Sequence, residues 1–211
     1  MAEQRQLAVF GYGSLMWRPD FPFVAAVPAE GVGVSRRLCV WSATYRGSPE
    51  RPGLVFGLDE AQPDARATGV LFDVAAAARR QTLAYLFQRE LIYPIYRPAM
   101  IEVRTAAGVR RALAFVVDRQ DPAYAGDLAP AARIAAIRSG AGRAGRARDY
   151  LANALRGLAA MGAAAPDLEA ELAAADALAD DDPARLFSLL DEGARRRLDA
   201  VFQEAHEGLA F

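Results

Sequence analysis

An apolar run, QLAVFG at residues 6–11, ends in the turn-prone Gly11-Tyr12-Gly13-Ser14 and is followed at once by WRPDFPF, where Pro19 and Pro22 bar a helix. Each proline lacks the backbone donor that a helix interior needs and biases the preceding residue toward extended conformations. A strand and glycine loop so continued cannot feed the long crossover helix on which a doubly wound parallel sheet is built. Gly11-Tyr12-Gly13 also matches only the first two glycines of a dinucleotide fingerprint. The loop does gather several backbone N–H groups in a tight concavity, which suits a carboxylate or a developing oxyanion and is equally compatible with a plain turn.

Further strands are expected at about 32–45, 53–58, 67–74, 98–105 and 110–118, the last two joined by the hairpin-like AAGV at 106–109. A helix over roughly 75–91 carries Leu83, Leu86, Phe87 and Leu91 as one apolar stripe. After Pro130 the pattern is helical to the end. ARDYLANALRGLAAMG sets Tyr150, Leu151, Leu155 and Leu158 on one face and stops at Gly162, a C-cap candidate. From about residue 174 the chain reads as a separate charged amphipathic helix behind the acidic linker Asp180-Asp181-Asp182.

The 25 basic residues are all arginine, so Schiff-base chemistry and the phosphate lysine of a P-loop are excluded together. The one histidine, His206, lies five residues from the C-terminus, so a Ser-His-Asp or Cys-His relay would have to recruit the helical tail; the one cysteine, Cys39, lies in the strand-like RRLCVW and reads as a core thiol rather than a nucleophile, and one His with one Cys cannot make a zinc site. With a net charge of -1 and no block of like charge, a nucleic-acid or acidic-membrane partner is not expected. No stretch approaches the ~18–20 apolar residues that span a bilayer. A single cysteine fits a reducing compartment, and the protein is expected in the cytoplasm, acting on a small molecule without metal or cofactor. The oligomeric state is not legible.

Glu90 is the anomalous residue. It follows Leu83 by seven positions and Leu86 by four, which places a carboxylate on the apolar stripe. Burial and the negative pole of a helix end would both raise its pKa toward that of a working base. The competing reading has Glu90 turned outward to pair with Arg89 or Arg97.

Five co-linear blocks bear on that choice: VFGYGSLMWRPDFPF near the N-terminus, ATYRGSPERPGLVFGLD at 43–59, LAYLFQREL at 83–91 with Tyr96, Arg97 and Pro98 after it, DPAYAG at 121–126, and SGAGRAGRARDYL at 139–151. Together they resemble the ChaC family of glutathione-specific γ-glutamylcyclotransferases over roughly residues 7–172. The resemblance implies an α+β fold, a small mixed β-barrel flanked by helices, with 1–173 as the catalytic domain and 174–211 as a helical C-terminal extension. It implies Glu90 as catalytic base and the loop Val9, Phe10, Gly11, Tyr12, Gly13, Ser14 and Leu15 as the holder of the γ-glutamyl group. Arg46, Tyr96 and Tyr124 fall in matching blocks as further pocket residues, and Tyr150 as one of these or as packing. This chain departs from the pattern in carrying Tyr45 where relatives have histidine, and Pro94-Ile95 in place of a glycine-containing turn, which bears on substrate preference. The substrate implied is glutathione, with other γ-glutamyl amines or amino acids as the same-fold alternative and a non-enzymatic binding module as the different-class one.

Overall fold

The computed structural model describes residues 6–208, with side chains as far as Ala205, so the side chain of His206 lies outside the described residues. In chain order the elements are β1 (Leu7–Gly11), a 3-10 turn (Ser14–Met16), β2 (Ala25–Val32), β3 (Val34–Ser42), β4 (Gly53–Glu60), β5 (Arg66–Val74), α1 (Arg79–Glu90), β6 (Tyr96–Thr105), β7 (Gly108–Val117), α2 (Pro130–Ser139), the two-residue strands β8 (Ala141–Gly142) and β9 (Gly145–Arg146), α3 (Ala147–Ala160), α4 (Pro166–Asp176), α5 (Pro183–Leu189) and α6 (Glu192–Gly208). The class is α+β. The chain divides into two compact units, residues up to 37 with 57–118, and 38–56 with those from 119 onward. β3 and β4 pair with each other and run across that division.

The first unit is a closed barrel in the order β1-β5-β2-β6-β7. β1 pairs antiparallel with β5, from Leu7 opposite Val74 to Gly11 opposite Val70, and parallel with β7 through Val9 and Leu113, so the barrel is mixed. All five residues of LAVFG are buried, as a strand flanked on both sides requires. β6 and β7 form the expected hairpin, from Tyr96 opposite Val117 to Thr105 opposite Gly108. β2 is the strand that the sequence pattern does not announce, because AAVPAEGV is built from poor strand formers. On its β6 side it is paired only at Glu30 and Gly31, so the donor that Pro28 lacks is not owed to that strand.

The barrel core gathers Leu7, Val9, Leu15, Phe21, Phe72, Val74, Leu86, Leu113 and Phe115, with Leu83, Tyr85, Leu91 and Tyr96 packed against it. Phe21 meets Phe72 edge-on, with centroids 5.4 Å apart. α1 begins at Arg79, after a 3-10 turn at Ala76–Ala78, and its buried line runs through Thr82 and Leu86 toward Glu90, spaced four apart. Phe87 departs from the expected stripe: it is 42% exposed and lies perpendicular to Phe115 at 6.3 Å.

The second unit is mainly helical, with α2 packed against α3, α4 and α5. α3 ends as its sequence suggests. Gly162 has φ +70, its N–H donates to Ala159 O at 2.9 Å and that of Ala163 to Leu158 O at 3.0 Å, the paired bonds of a Schellman cap. The charged segment beyond residue 174 differs from the single helix expected there. Asp191 Oδ1 accepts from Ala194 N at 2.7 Å and starts α6 afresh, while Asp182 caps α5 through Ala184 N at 2.9 Å. Ala175, Leu186, Ala194 and Leu198 are all buried. The acidic linker is bound, too: Asp181 Oδ2 accepts from Arg51 at 2.7 Å and Arg146 at 2.8 Å, and Arg51 Nε also donates to Ser139 O at 2.9 Å.

The two arginines hold the Asp181 carboxyl at a pKa of about 2. Its contribution to stability is therefore complete above the unfolded carboxylate value of about 4 and is lost as the pH falls through about 2. Asp181→Asn should lower the melting temperature and speed proteolysis ahead of α5 at neutral pH, with the difference from the parent closing in acid. A pH-independent difference would show that the ion pairs are not its cause.

Candidate functional site

Gly11 ends β1 and lets the chain double back, since a Cβ there would stand 2.9 Å from Leu15 Cβ and 3.1 Å from the Phe72 ring. The turn that follows is pinned from within the barrel. Tyr12 is 7% exposed and its hydroxyl donates to Phe115 O at 2.8 Å, while Leu15 enters the core. Gly13 is the N-cap of the 3-10 turn with no side chain capping it, and its carbonyl accepts from Met16 N at 2.9 Å. The first N–H groups of a helical turn have no acceptor inside it, so they face outward from the turn as donors. Val9 and Phe10, by contrast, are fully buried strand residues whose side chains fill the core.

After the turn, Pro19 and Asp20 reverse the chain, with Asp20 at φ +54, a conformation that aspartate tolerates better than most residues. The carbonyls of Arg18 and Pro19 thereby point at α1. Arg89 meets them: its NH1 donates to Arg18 O at 2.8 Å, to Pro19 O at 3.4 Å and to Tyr85 Oη at 2.8 Å, while its NH2 donates to Ser14 Oγ at 2.9 Å. Asp20 Oδ2 lies 3.6 Å from the same guanidinium.

Glu90 is the last residue of α1, with a side chain 18% exposed and Oε1 3.1 Å from Arg89 Nε. Both sequence-level alternatives for Glu90 are therefore realised in part: it is largely buried, and it pairs with Arg89. Arg97 does not reach it, being paired with Glu60. Burial pushes the Glu90 carboxyl above the ordinary carboxylate range, and the charge and hydrogen bond of Arg89 oppose that rise without cancelling it. The result is a carboxyl that can change protonation state, set beside a loop rich in backbone donors.

The remaining candidates divide between the units. Tyr96 opens β6 in the barrel unit and packs against its core, and Ile95 is buried in the turn before it. Arg46 and Tyr124 belong to the second unit. Arg46 donates to Ala144 O and stands over the Tyr150 ring at 5.5 Å, and Tyr150 accepts from Phe56 N at 3.3 Å. Tyr124 is bridged to Val40. Tyr45 lies under the Arg143 guanidinium at 4.1 Å. Arg89 is the residue the sequence reading passed over as a site member; the signal was its place in the QREL block, beside Glu90 and four after Tyr85. Among the described residues no three His, Cys, Asp or Glu side chains converge as metal ligands, and no helix is long and apolar enough to cross a membrane.

Comparison with known proteins identifies these blocks. Residues 7–175 match the ChaC-like protein family. The glutathione-specific gamma-glutamylcyclotransferase of Escherichia coli (strain K12) is 31% identical over 144 residues, covering 68% of this chain and 61% of its own length. The glutathione-specific gamma-glutamylcyclotransferase 1 of Homo sapiens is 31% identical over 152 residues, 71% of this chain and 68% of that protein. The crystal structure of the yeast gamma-glutamyl cyclotransferase specific to glutathione superposes with a TM-score of 0.72 over 82% of this chain and 98% of that one, at 21% identity, a likeness of fold. On the match that runs from β1 into the last turn of α4, this chain belongs to the ChaC-like protein family.

Proposed function

We propose that this chain is a γ-glutamylcyclotransferase that cleaves glutathione to 5-oxoproline and Cys-Gly, with Glu90 as general acid and base. Relatives at about 30% identity carry that activity in their names. The observation that carries the reading is the placement of Glu90: a mostly buried carboxyl, raised by burial and linked through Arg89 to Ser14 of the Gly11–Leu15 turn.

The chemistry asks little of the protein because both reacting groups belong to the substrate. The α-nitrogen of the γ-glutamyl group attacks its own side-chain carbonyl, forming the lactam C–N bond, and the amide bond to cysteine breaks. Correctly oriented intramolecular attack removes up to about 7–11 kcal/mol of barrier, so the loop's work is to fold the glutamyl chain into that geometry. An α-amine with a reference pKa of about 7.7–8.0 is largely protonated at neutral pH, and ionised Glu90 takes that proton. The carboxylic acid so formed hands the proton to the departing nitrogen as the C–N bond breaks, and the restored carboxylate takes the second proton that the cyclised nitrogen must lose, which the released amine carries away as ammonium. Backbone N–H groups from Tyr12 to Ser14 hold the oxyanion or the α-carboxylate. We place the enzyme in the cytoplasm, where thiols are kept reduced, with the small peptide as its partner.

Purified protein given glutathione should release 5-oxoproline and Cys-Gly in the presence of chelator, as followed by chromatography; dependence on an added metal would contradict the scheme. N-acetylation of the substrate's α-nitrogen should abolish turnover, and cleavage of the blocked peptide at a comparable rate would indicate ordinary hydrolysis.

Glu90→Gln should lower kcat by ~10²–10⁴-fold or more while the fold survives. Its stability follows from the raised pKa. A folded carboxyl so shifted contributes stability that is complete below the unfolded value of about 4.3 and is lost as the pH rises through the folded value. The glutamine variant should thus match the parent in acid and unfold at an equal or higher temperature at neutral pH. Parental turnover in a folded Glu90→Gln would dismiss the base, and an unfolded variant would make Glu90 a structural partner of Arg89.

A further inference from the structure

Neighbouring residues on a helix point about 100° apart and do not ordinarily face each other. Arg89 and Glu90 nevertheless meet at 3.1 Å, which requires their side chains to converge across the helix end. The arginine does so under many constraints. A guanidinium has five N–H donors in one rigid plane. Here Nε faces Glu90, NH1 serves Arg18 O and Tyr85 Oη, and NH2 serves Ser14 Oγ. The side chain is 20% exposed and its Cζ lies 5.9 Å from the Tyr85 ring centre.

We infer that Arg89 is a positioning residue for the cyclisation: one rigid guanidinium fixes the Glu90 carboxylate and the Ser14–Pro19 segment in a single geometry, so that the base and the loop holding the glutamyl group stay in register. The inference rests on the reading of Glu90 as the base. Without Arg89 the two parts would be joined by apolar packing, Leu15 and Leu86 in the barrel core and Phe21 against Tyr85, which fixes no polar group. An error of about 1 Å between base and reacting nitrogen can cost about 100-fold.

Arg89 has a second effect on the same carboxyl. The titratable groups that meet the Arg89 guanidinium on its other sides are Tyr85 on α1 and Asp20 from the segment after the 3-10 turn; Asp20 is also held by Arg18 Nε at 3.0 Å. Arg89 is the group that opposes the effect of burial on Glu90. It favours the ionised form of the carboxyl, the form able to accept the ammonium proton.

Two variants of the full chain separate the roles. Arg89→Gln removes the charge, and the acid limb of kcat/KM for glutathione should move up by about one pH unit, the low end for an opposite charge at this range. Arg89→Lys keeps a charge but as a flexible point without the planar fork. Its acid limb should stay near the parental one while kcat falls, by up to about 100-fold, and KM changes less. A parental pH profile in Arg89→Gln, or parental KM and kcat in Arg89→Lys, would overturn the inference; if the glutamine variant does not fold, the lysine variant decides. Glu90→Gln in the same assay tells the two failures apart. A folded, active Glu90→Gln removes the base and this inference with it, whereas an inactive Glu90→Gln beside unaltered Arg89 variants removes this inference alone.

Discussion

The site depends on a carboxyl group held out of water at the end of a helix. Burying an anion is costly, and the C-terminal pole of a helix is the wrong pole for it, so an unassisted Glu90 would stay protonated or turn outward. The Arg89 guanidinium makes a third course available: the carboxyl stays inside, 3.1 Å from a cation that suits the same helix pole. Because that cation also grips the Arg18 and Pro19 carbonyls and Ser14, the electrostatic solution and the mechanical one are the same side chain.

The barrel sets the frame within which that side chain can reach its partners. β1 is apolar throughout because it is paired on both sides, and the chain leaves it at Gly11 on a path that a Cβ would block. Leu15 then drops into the same core that Leu86 enters from α1. Two elements anchored in one cluster bring Ser14 and Arg89 within 2.9 Å. The Tyr12 hydroxyl, bonded to Phe115 O, fixes the opposite end of the turn. Pro19 and Asp20 have a positive role beyond denying a helix, since the reversal they impose aims two carbonyls at the guanidinium.

Where local chemistry decides conformation, the sequence was a sufficient guide. The break after Gly13-Ser14, the β6–β7 hairpin and the cap at Gly162 follow from proline, turn and glycine physics that act over a few residues. β2 was not legible, because Ala25–Val32 is a strand by virtue of β5 beside it rather than by its own propensity. The split between α5 and α6 was overlooked for a related reason: Asp191 looks like one more surface acid until its bond to Ala194 N reveals a cap. Burial of Glu90 and its pairing with Arg89 were each legible, but as alternatives; that an inward carboxyl would keep the pairing was not, because adjacent helix positions diverge. Nor could the acidic linker be told from a solvated run until Arg51 and Arg146, distant in sequence, closed on Asp181.

The absence of lysine and of a usable histidine bears on why this arrangement suffices. A hydrolase must activate water, whereas a cyclisation brings its own nucleophile and needs that nucleophile deprotonated and folded back on its carbonyl. One tunable carboxyl can serve both proton transfers if it is ionised at the start and acidic enough to return the proton later. Burial alone would carry Glu90 too far toward the neutral acid, and a fully solvated ion pair would leave it too weak a base. Burial raises the Glu90 carboxyl and Arg89 opposes that rise, an opposition that lasts only while the Arg89 side chain keeps its place. In the proposed scheme the many bonds on the far side of that guanidinium therefore bear on the protonation of Glu90 as well as on its position.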